Sequence, residues 1–377
     1  MISKLPNAQT SIFAVMTKLA NECGAINLAQ GFPDFDVAPE LIDRIHHYMQ
    51  QGHNQYAPMP GVPGLRAAIT KKIDRTYGVS IHPDEVTITA GATQALFASI
   101  TAIVHAGDEV IFFDPAYDCY LPTIELCGGV PVNINLDKND FSIPWDEVAQ
   151  KITKKTKLII INTPHNPSGA ILSSTDLDQL AQLTRGKEIY VISDEVYEHI
   201  IFDGQTHASA LKHDELKKKS VVIYSFGKTF HATGWKMGYT VAPDFLTTEI
   251  QKVHQFLVFS VSTATQWALA DYLEDESHYH YLPQFFQKKR DLLLDGMASS
   301  RFKPVKCQGT YFQTFSYADI SDKPDREMAE WITRNYGVAS IPLSPFYTDH
   351  SDNKQIRLCF AKSEDTIKKA AQKLCQI

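Results

Sequence analysis

Lys228 stands where a lysine has few uses other than chemistry. It follows the apolar run Val221–Ser225 and sits in Ser225-Phe226-Gly227-Lys228-Thr229-Phe230. Apolar neighbours disfavour an ammonium and leave the free amine a better nucleophile towards a carbonyl carbon. A second lysine, Lys236, and three glycines, Gly227, Gly234 and Gly238, fall in the same short stretch. Asp194 directly follows Tyr190-Val191-Ile192-Ser193, so it is drawn into a buried site, where a carboxylate needs a cationic partner. Glu195 should point to the opposite face. In Thr163-Pro164-His165-Asn166-Pro167-Ser168-Gly169, two prolines and a glycine fix a loop around Asn166. His165 reads as structural or surface. Tyr117 is positioned either to stack on a planar ring or to pack half-buried. Gly91-Ala92-Thr93 opens a helix, and the free N–H groups and positive dipole end of a helix suit a phosphate.

The elements that must hold these groups alternate. Strand-like runs cover Glu85–Ala90, Glu109–Asp114, Pro131–Leu136, Lys157–Asn162, Ile189–Ser193, Val221–Ser225 and Met237–Ala242, short and rich in β-branched and aromatic residues. Several are apolar on both alternations, as in sheets covered on both faces. Helical patterns lie between them, at Gly64–Tyr77, Thr93–Val104, Asp176–Thr184 and Thr247–Phe256. The reading is an α/β fold with a mostly parallel seven-stranded sheet between helices. Eleven residues separate Ser225 from Met237, fewer than a parallel crossover needs, so the last strand is expected to run antiparallel. Such sheets bind ligands beyond the carboxyl ends of their strands. There the sequence gathers a phosphate cradle, an aromatic ring, an amide, a carboxylate, the phenol of Tyr197 and a lysine. That set suits a phosphorylated pyridine aldehyde.

Beyond about residue 280 the pattern changes. Helices near Pro283–Met297, Arg326–Tyr336 and Glu364–Leu374 accompany strands at Tyr311–Ser316, Ile341–Leu343 and Gln355–Phe360, as in a smaller α+β domain. The expected division is a large domain over residues 41–280, a small domain over 281–377, and an N-terminal segment over 1–40 that joins the small domain through a strand-like Asn27–Gly31. The chain has 377 residues and a formal net charge of −7, which argues against nucleic acid or a membrane surface as partner. Lys217, Lys218 and Lys219 read as a solvated turn. The six cysteines lack C-x-x-C spacing, which points to reduced thiols and no metal site. With no apolar leader and no spanning stretch, cytoplasm is the expected location.

Ser225-x-x-Lys228-x₅-Gly234-x-Lys236-x-Gly238 resembles the cofactor-lysine pattern of class I/II aminotransferases of fold type I. Asn166-Pro167-x-Gly169 and Asp194-Glu195-x-Tyr197 resemble its other two hallmarks. Lys236 stands where the family commonly has arginine. The likeness extends over nearly the whole chain. Asn27-Leu28-Ala29-Gln30-Gly31-Phe32-Pro33-Asp34-Phe35, Asn54-Gln55-Tyr56-Ala57-Pro58 and Ile356-Arg357-Leu358-Cys359-Phe360 look like the branch of methionine and kynurenine/glutamine aminotransferases, and most like its bacterial methionine members.

The resemblance implies pyridoxal 5′-phosphate as cofactor, carried as a Schiff base on Lys228, the catalytic residue, in a ping-pong reaction. Asp194 would bind the pyridine nitrogen, Asn166 and Tyr197 the phenolic oxygen, and Tyr117 would stack on the ring. The backbone of Ala92 and Thr93, with Ser225 and Lys236, would hold the phosphate. Tyr56 would reach it from the second subunit of a homodimer. Arg357 would clamp the carboxylate of the amino acid, helped by the backbone of Gly31 and by Asn166. Phe13 at the pocket mouth and Phe259 near the subunit boundary favour apolar or sulfur-bearing side chains. No arginine matches a clamp for a second carboxylate. The rival readings are β-elimination from cysteine conjugates or kynurenine transamination on the same scaffold, and a non-enzymatic regulator. Gly91 begins no G-x-G-x-x-G fingerprint, which disfavours a nicotinamide enzyme.

Overall fold

The computed structural model describes residues 2–6 and 10–377. Met1 and residues 7–9, part of the N-terminal segment assigned above, lie outside the described residues. Seven strands form the main sheet in the spatial order Val86–Thr89, Gly238–Val241, Ser220–Ser225, Tyr190–Asp194, Thr156–Asn162, Glu109–Asp114 and Val130–Asn135. Gly238–Val241 is antiparallel to both neighbours and the remaining pairings are parallel, as the short connection after Ser225 requires. The α/β class and the seven strands expected from the sequence are therefore those observed.

The doubly apolar runs are explained by what covers them. On Tyr190–Asp194, Val191 packs into the larger buried cluster with Val222, Tyr224 and Tyr239, while Ile192 packs into a second one with Val221, Ile223 and Leu96. Alternate side chains of one strand thus enter cores on opposite faces. The helix Gly91–Ile103 covers the second face, with Ala95, Leu96, Ala98, Ser99 and Ile100 buried.

A four-stranded antiparallel sheet lies in the C-terminal part, in the order Ile341–Pro342, Gln355–Cys359, Phe312–Ser316 and Lys303–Pro304. The N-terminal helix Ile12–Cys23, which the sequence reading did not identify, sends Met16, Leu19 and Ala20 into a small core with Ala329, Ile341 and Phe346. Gly24 ends this helix in the left-handed conformation. The strand expected over Asn27–Gly31 is shorter, Ile26–Asn27, paired in parallel with Val338–Ala339. Its end has a local cause: the Asn27 side-chain oxygen accepts from the N–H groups of Ala29 and Gln30 at 3.0 and 3.2 Å, turning the chain where a ladder would continue it.

All six cysteines are free, and no cluster of potential metal ligands occurs among the described residues. No helix of the described residues is long and apolar enough to cross a membrane. In the lysine run, Lys218 pairs with Glu215 at the surface, while Lys217 and Lys219 bond the carbonyls of Ser80 and Thr184.

Candidate active site

The carboxyl ends of the strands converge on a cavity of about 130 Å³. Ala92, Thr93, Tyr117, Asn166, Asp194, Tyr197, Ser225, Lys228 and Lys236 all line it. These residues are spread over more than a hundred positions of sequence, and the parallel strand order brings them to one edge.

One wall is the first turn of the helix Gly91–Ile103. No side chain caps that turn, so its N–H groups and dipole face the cavity. Gly91 adopts φ 77°, a left-handed conformation that favours glycine. Gly238, on the antiparallel strand, lets that turn lie against the sheet. A Cβ there would stand 2.7 Å from the Tyr224 carbonyl oxygen and 3.0 Å from the Ala92 nitrogen. Tyr117 is anchored by its hydroxyl, 3.1 Å from Thr93 Oγ1. Lys236 turns into the site through a left-handed backbone, φ 54°.

Asp194 ends its strand fully inside the protein. Burial pushes its carboxyl up to about 6, partly opposed by hydrogen bonds from the Tyr120 hydroxyl and the Val196 N–H and by the charge of Lys228. The cation expected to pair with it is not among its hydrogen-bond partners in the described residues; Lys228 acts at longer range. Glu195 points to the other face, as alternation requires.

Lys228 lies one turn past the strand Ser220–Ser225. Its Nζ donates to the Tyr311 hydroxyl at 3.0 Å and reaches the Gly31 carbonyl at 3.5 Å, while Tyr311 itself donates to Gly31 at 2.7 Å. Burial first, then the positive charges of Arg357 and Lys236, pull the amine down to about 8, against the opposing pull of Cys359 and Asp194. The lowered value makes the free amine, the form that attacks a carbonyl, far more available near neutral pH than on an ordinary lysine.

Arg357 is completely buried. Burial pulls its guanidinium down to about 10. It donates to Asn166 Oδ1 at 2.7 Å and to the Ala29 carbonyl at 3.3 Å, and its Nε is buried with no partner among the described residues. Phe312, Phe13 and Phe346 surround it at 3.8, 5.2 and 5.6 Å from ring centre to guanidinium carbon. An arginine with a spare donor in an apolar box is a strong receptor for a carboxylate. Because Asn166 Oδ1 is committed to Arg357, its amide N–H groups are left to donate elsewhere.

Of the expected site residues, Gly31, Arg357, Phe13, Tyr56 and Phe259 are not among those that line this cavity. Tyr56 is 84% exposed and its ring meets that of Phe259 edge-on at 5.5 Å. His165 is structural: buried, hydrogen-bonded to Ser168 at 2.6 Å and held down to about 4 by burial. The sequence reading missed Tyr120, Tyr311, Thr233 and Asn162. Asn162 fixes the loop by donating to the Asp194 carbonyl and accepting from the Asn166 N–H, both at 2.8 Å. Its place as the last residue of a strand was the one available signal; isolated tyrosines carry none.

Residues 24–374 match the family model described as aminotransferase class I and II. The chain is 50% identical over 377 residues to methionine aminotransferase of Escherichia coli K12, covering all of this chain and 98% of that protein. It is 34% identical to human kynurenine–oxoglutarate transaminase 1, covering 95% of this chain and 93% of that protein. The crystal structure of YbdL from Escherichia coli, whose reactivity identified a methionine aminotransferase function, superposes with a TM-score of 0.98 at 50% identity, covering 100% of this chain and 99% of that one.

Proposed function

The chain belongs to the class I and II aminotransferases, and from that premise we propose that it moves the amino group of methionine, or of another apolar or aromatic L-amino acid, to a 2-oxo acid, with pyridoxal 5′-phosphate attached to Lys228. The observation that carries this reading is a buried amine, held down to about 8, in one cavity with a buried carboxylate and an uncapped helix turn, with Arg357 bonded to Asn166 of the cavity wall.

The residues fit the cofactor. The phosphate would sit at the N–H groups of Ala92 and Thr93 with Ser225 and Lys236, on the turn that the missing side chain of Gly238 lets lie against the sheet. Asp194, whose proton affinity is raised and which no cation among the described residues bonds, suits a protonated ring nitrogen. Asn166 and Tyr197 would donate to the phenolic oxygen and Tyr117 would cover the ring. Bound there, the cofactor supplies an electron sink for the pair left when a Cα–H bond breaks.

The chain's own groups do the rest. Arg357 binds the α-carboxylate of the amino acid, with the Gly31 backbone beside it, and so turns the Cα–H bond towards Lys228. Lys228 takes that proton at Nζ and returns it, with Tyr311 and the Gly31 carbonyl setting where the amine rests. Phe13 and the other rings around Arg357 exclude water and favour an apolar or thioether side chain.

The likeness to the Escherichia coli enzyme over its full length supports methionine as donor. The likeness to a kynurenine transaminase keeps aromatic donors within the reading. We read the enzyme as a cytoplasmic homodimer in which Tyr56 serves the phosphate of the partner subunit, with Phe259 near the boundary. The exposure of Tyr56, and of Phe256 at 86%, supports that. The chain would divide into a large part over 41–280 and a small part over 281–377 joined by residues 1–40, supported by the pairing of Ile26–Asn27 with Val338–Ala339.

The test is spectroscopic. Purified protein loaded with pyridoxal phosphate is expected to absorb in the visible, and single additions of methionine, phenylalanine, kynurenine and aspartate should convert that band, methionine fastest and aspartate least. Borohydride should fix the cofactor on the peptide that contains Lys228. A protein that takes up no cofactor in excess, or fixes it elsewhere, overturns the reading. Pyruvate and ammonia released from a cysteine conjugate without any oxo acid would favour β-elimination instead.

A further inference from the structure

Behind the cavity, on the opposite face of the main sheet, lies a second polar cluster that the reaction does not touch. Glu195 is wholly buried and accepts four hydrogen bonds: from Ser193 Oγ at 2.8 Å, His207 Nε2 at 2.8 Å, the Ala210 N–H at 2.9 Å and the Tyr224 hydroxyl at 3.2 Å. Close by, the buried Lys72 pairs with Glu198, which also accepts from the Tyr77 hydroxyl. Lys72 joins the two halves: its Nζ lies 5.1 Å from the centre of the Tyr224 ring and 3.4 Å from the Tyr239 hydroxyl. The Tyr224 and Tyr239 rings stack at 4.9 Å.

Three residues of this cluster are chain neighbours of cavity residues, and a fourth is the neighbour of the glycine packed against the helix turn. Glu195 follows Asp194, Glu198 follows Tyr197, Tyr224 precedes Ser225 and Tyr239 follows Gly238. Alternation sends Ser225 to the cavity and Tyr224 to the cluster, and turns Asp194 and Glu195 to opposite faces in the same way. The Glu195 N–H also bonds the Ile223 carbonyl at 2.9 Å, tying the segment after Asp194 to the strand that ends at Ser225. Buried charges of this kind add little stability compared with well-packed apolar residues of the same volume. What they do add is direction, since a carboxylate with four fixed donors has one orientation.

We propose that Glu195, held by Tyr224 and His207 and coupled through Lys72 to Glu198, is a positioning residue that sets the orientation of Asp194 and Ser225 towards the cofactor. This rests on the reading of the cavity as a pyridoxal phosphate site. Glu195 touches neither cofactor nor substrate and acts through the backbone of its neighbour. Its charge also adds to the proton affinity of Asp194, on which burial, Tyr120 and Lys228 act as well.

The experiment compares wild-type holoenzyme with Glu195→Gln and Tyr224→Phe. Three quantities are read: the dissociation constant of pyridoxal phosphate, the visible circular dichroism per bound cofactor, and the thermal unfolding midpoint. Glu195→Gln should weaken cofactor binding about tenfold and lower the dichroic signal by half or more, because the ring is held in a changed orientation. Tyr224→Phe, which removes one of four donors and leaves a foldable core, should move both in the same direction by about two- to threefold. If Glu195→Gln does not fold, Tyr224→Phe decides by the same two readouts. Unchanged affinity and dichroism in a folded variant overturn the proposal. So does weaker binding with an unaltered signal per bound cofactor, since that is a structural role alone. Wild-type protein that binds no pyridoxal phosphate would instead sink the reading of the cavity itself, so the two failures are told apart by the control.

Discussion

The hydroxyl of Tyr120 donates a hydrogen bond of 2.6 Å to the carboxylate of Asp194, and both groups are buried. The bond favours the ionised carboxylate, and burial opposes it. Tyr120→Phe removes the favourable partner, so the proton affinity of Asp194 rises further above its present value of about 6. A protonated Asp194 no longer pairs with a cationic ring nitrogen. The acid limb of kcat/KM should therefore move to higher pH. Cofactor affinity should fall by roughly ten- to a hundredfold, the worth of a hydrogen bond to a charged group. A pH–rate profile identical to wild type would contradict this.

Lys228→Ala should abolish transamination while the far-ultraviolet dichroism and the unfolding midpoint stay close to wild type. The amine is the proposed proton carrier, but its burial as a charge does not stabilise the fold. Near-wild-type turnover in that variant would rule out the assignment.

The same lysine predicts a slope of stability with pH in the cofactor-free protein. Its folded-state value, about 8, lies below its ordinary 10.5. Between those two pH values the unfolded chain binds more protons than the folded one. The contribution of Lys228 to stability therefore rises as pH climbs through that window, and its penalty is fully present below about 8. Denaturant titrations at pH 7.5 and 10 should differ less in Lys228→Met than in the wild type; equal differences in both would refute the link.

Arg357→Lys should raise KM for the amino acid by roughly a hundredfold, equivalent to about 3 kcal/mol, because an ammonium cannot replace a planar fork. Cofactor affinity should change much less, since among the described residues Arg357 is linked to the cavity wall through its hydrogen bond to Asn166. Steady-state kinetics and a cofactor titration separate the two effects; a KM within twofold of wild type would exclude Arg357 as the clamp.

Gly238→Ala puts a methyl group against three backbone atoms, at 2.7 to 3.0 Å from the Tyr224 oxygen, the Ala92 nitrogen and the Gly91 carbonyl carbon. None is the end of a flexible side chain, so the helix turn must move off the sheet. The expected cost is about 1–3 kcal/mol of stability, with a larger proportional loss of phosphate affinity. Retention of both, measured by thermal unfolding and by competition with inorganic phosphate, would show that the turn does not depend on this contact.

Much of this molecule was written in order along the chain. Apolar runs on both alternations fixed a sheet covered on two faces, and the eleven residues after Ser225 fixed the direction of the strand that follows. Polar residues at strand ends then had one place to go, so the cavity was legible in the sequence. Tertiary structure alone decided what depends on distance in space between residues far apart in sequence. Tyr120 meets Asp194 across 74 positions and Tyr311 meets Lys228 across 83, and no local pattern marks either tyrosine. The reason is physical. Backbone periodicity is a local property, repeated every two or every 3.6 residues. Which phenol completes a buried carboxylate depends on how two packed layers interdigitate, and only the folded chain specifies that.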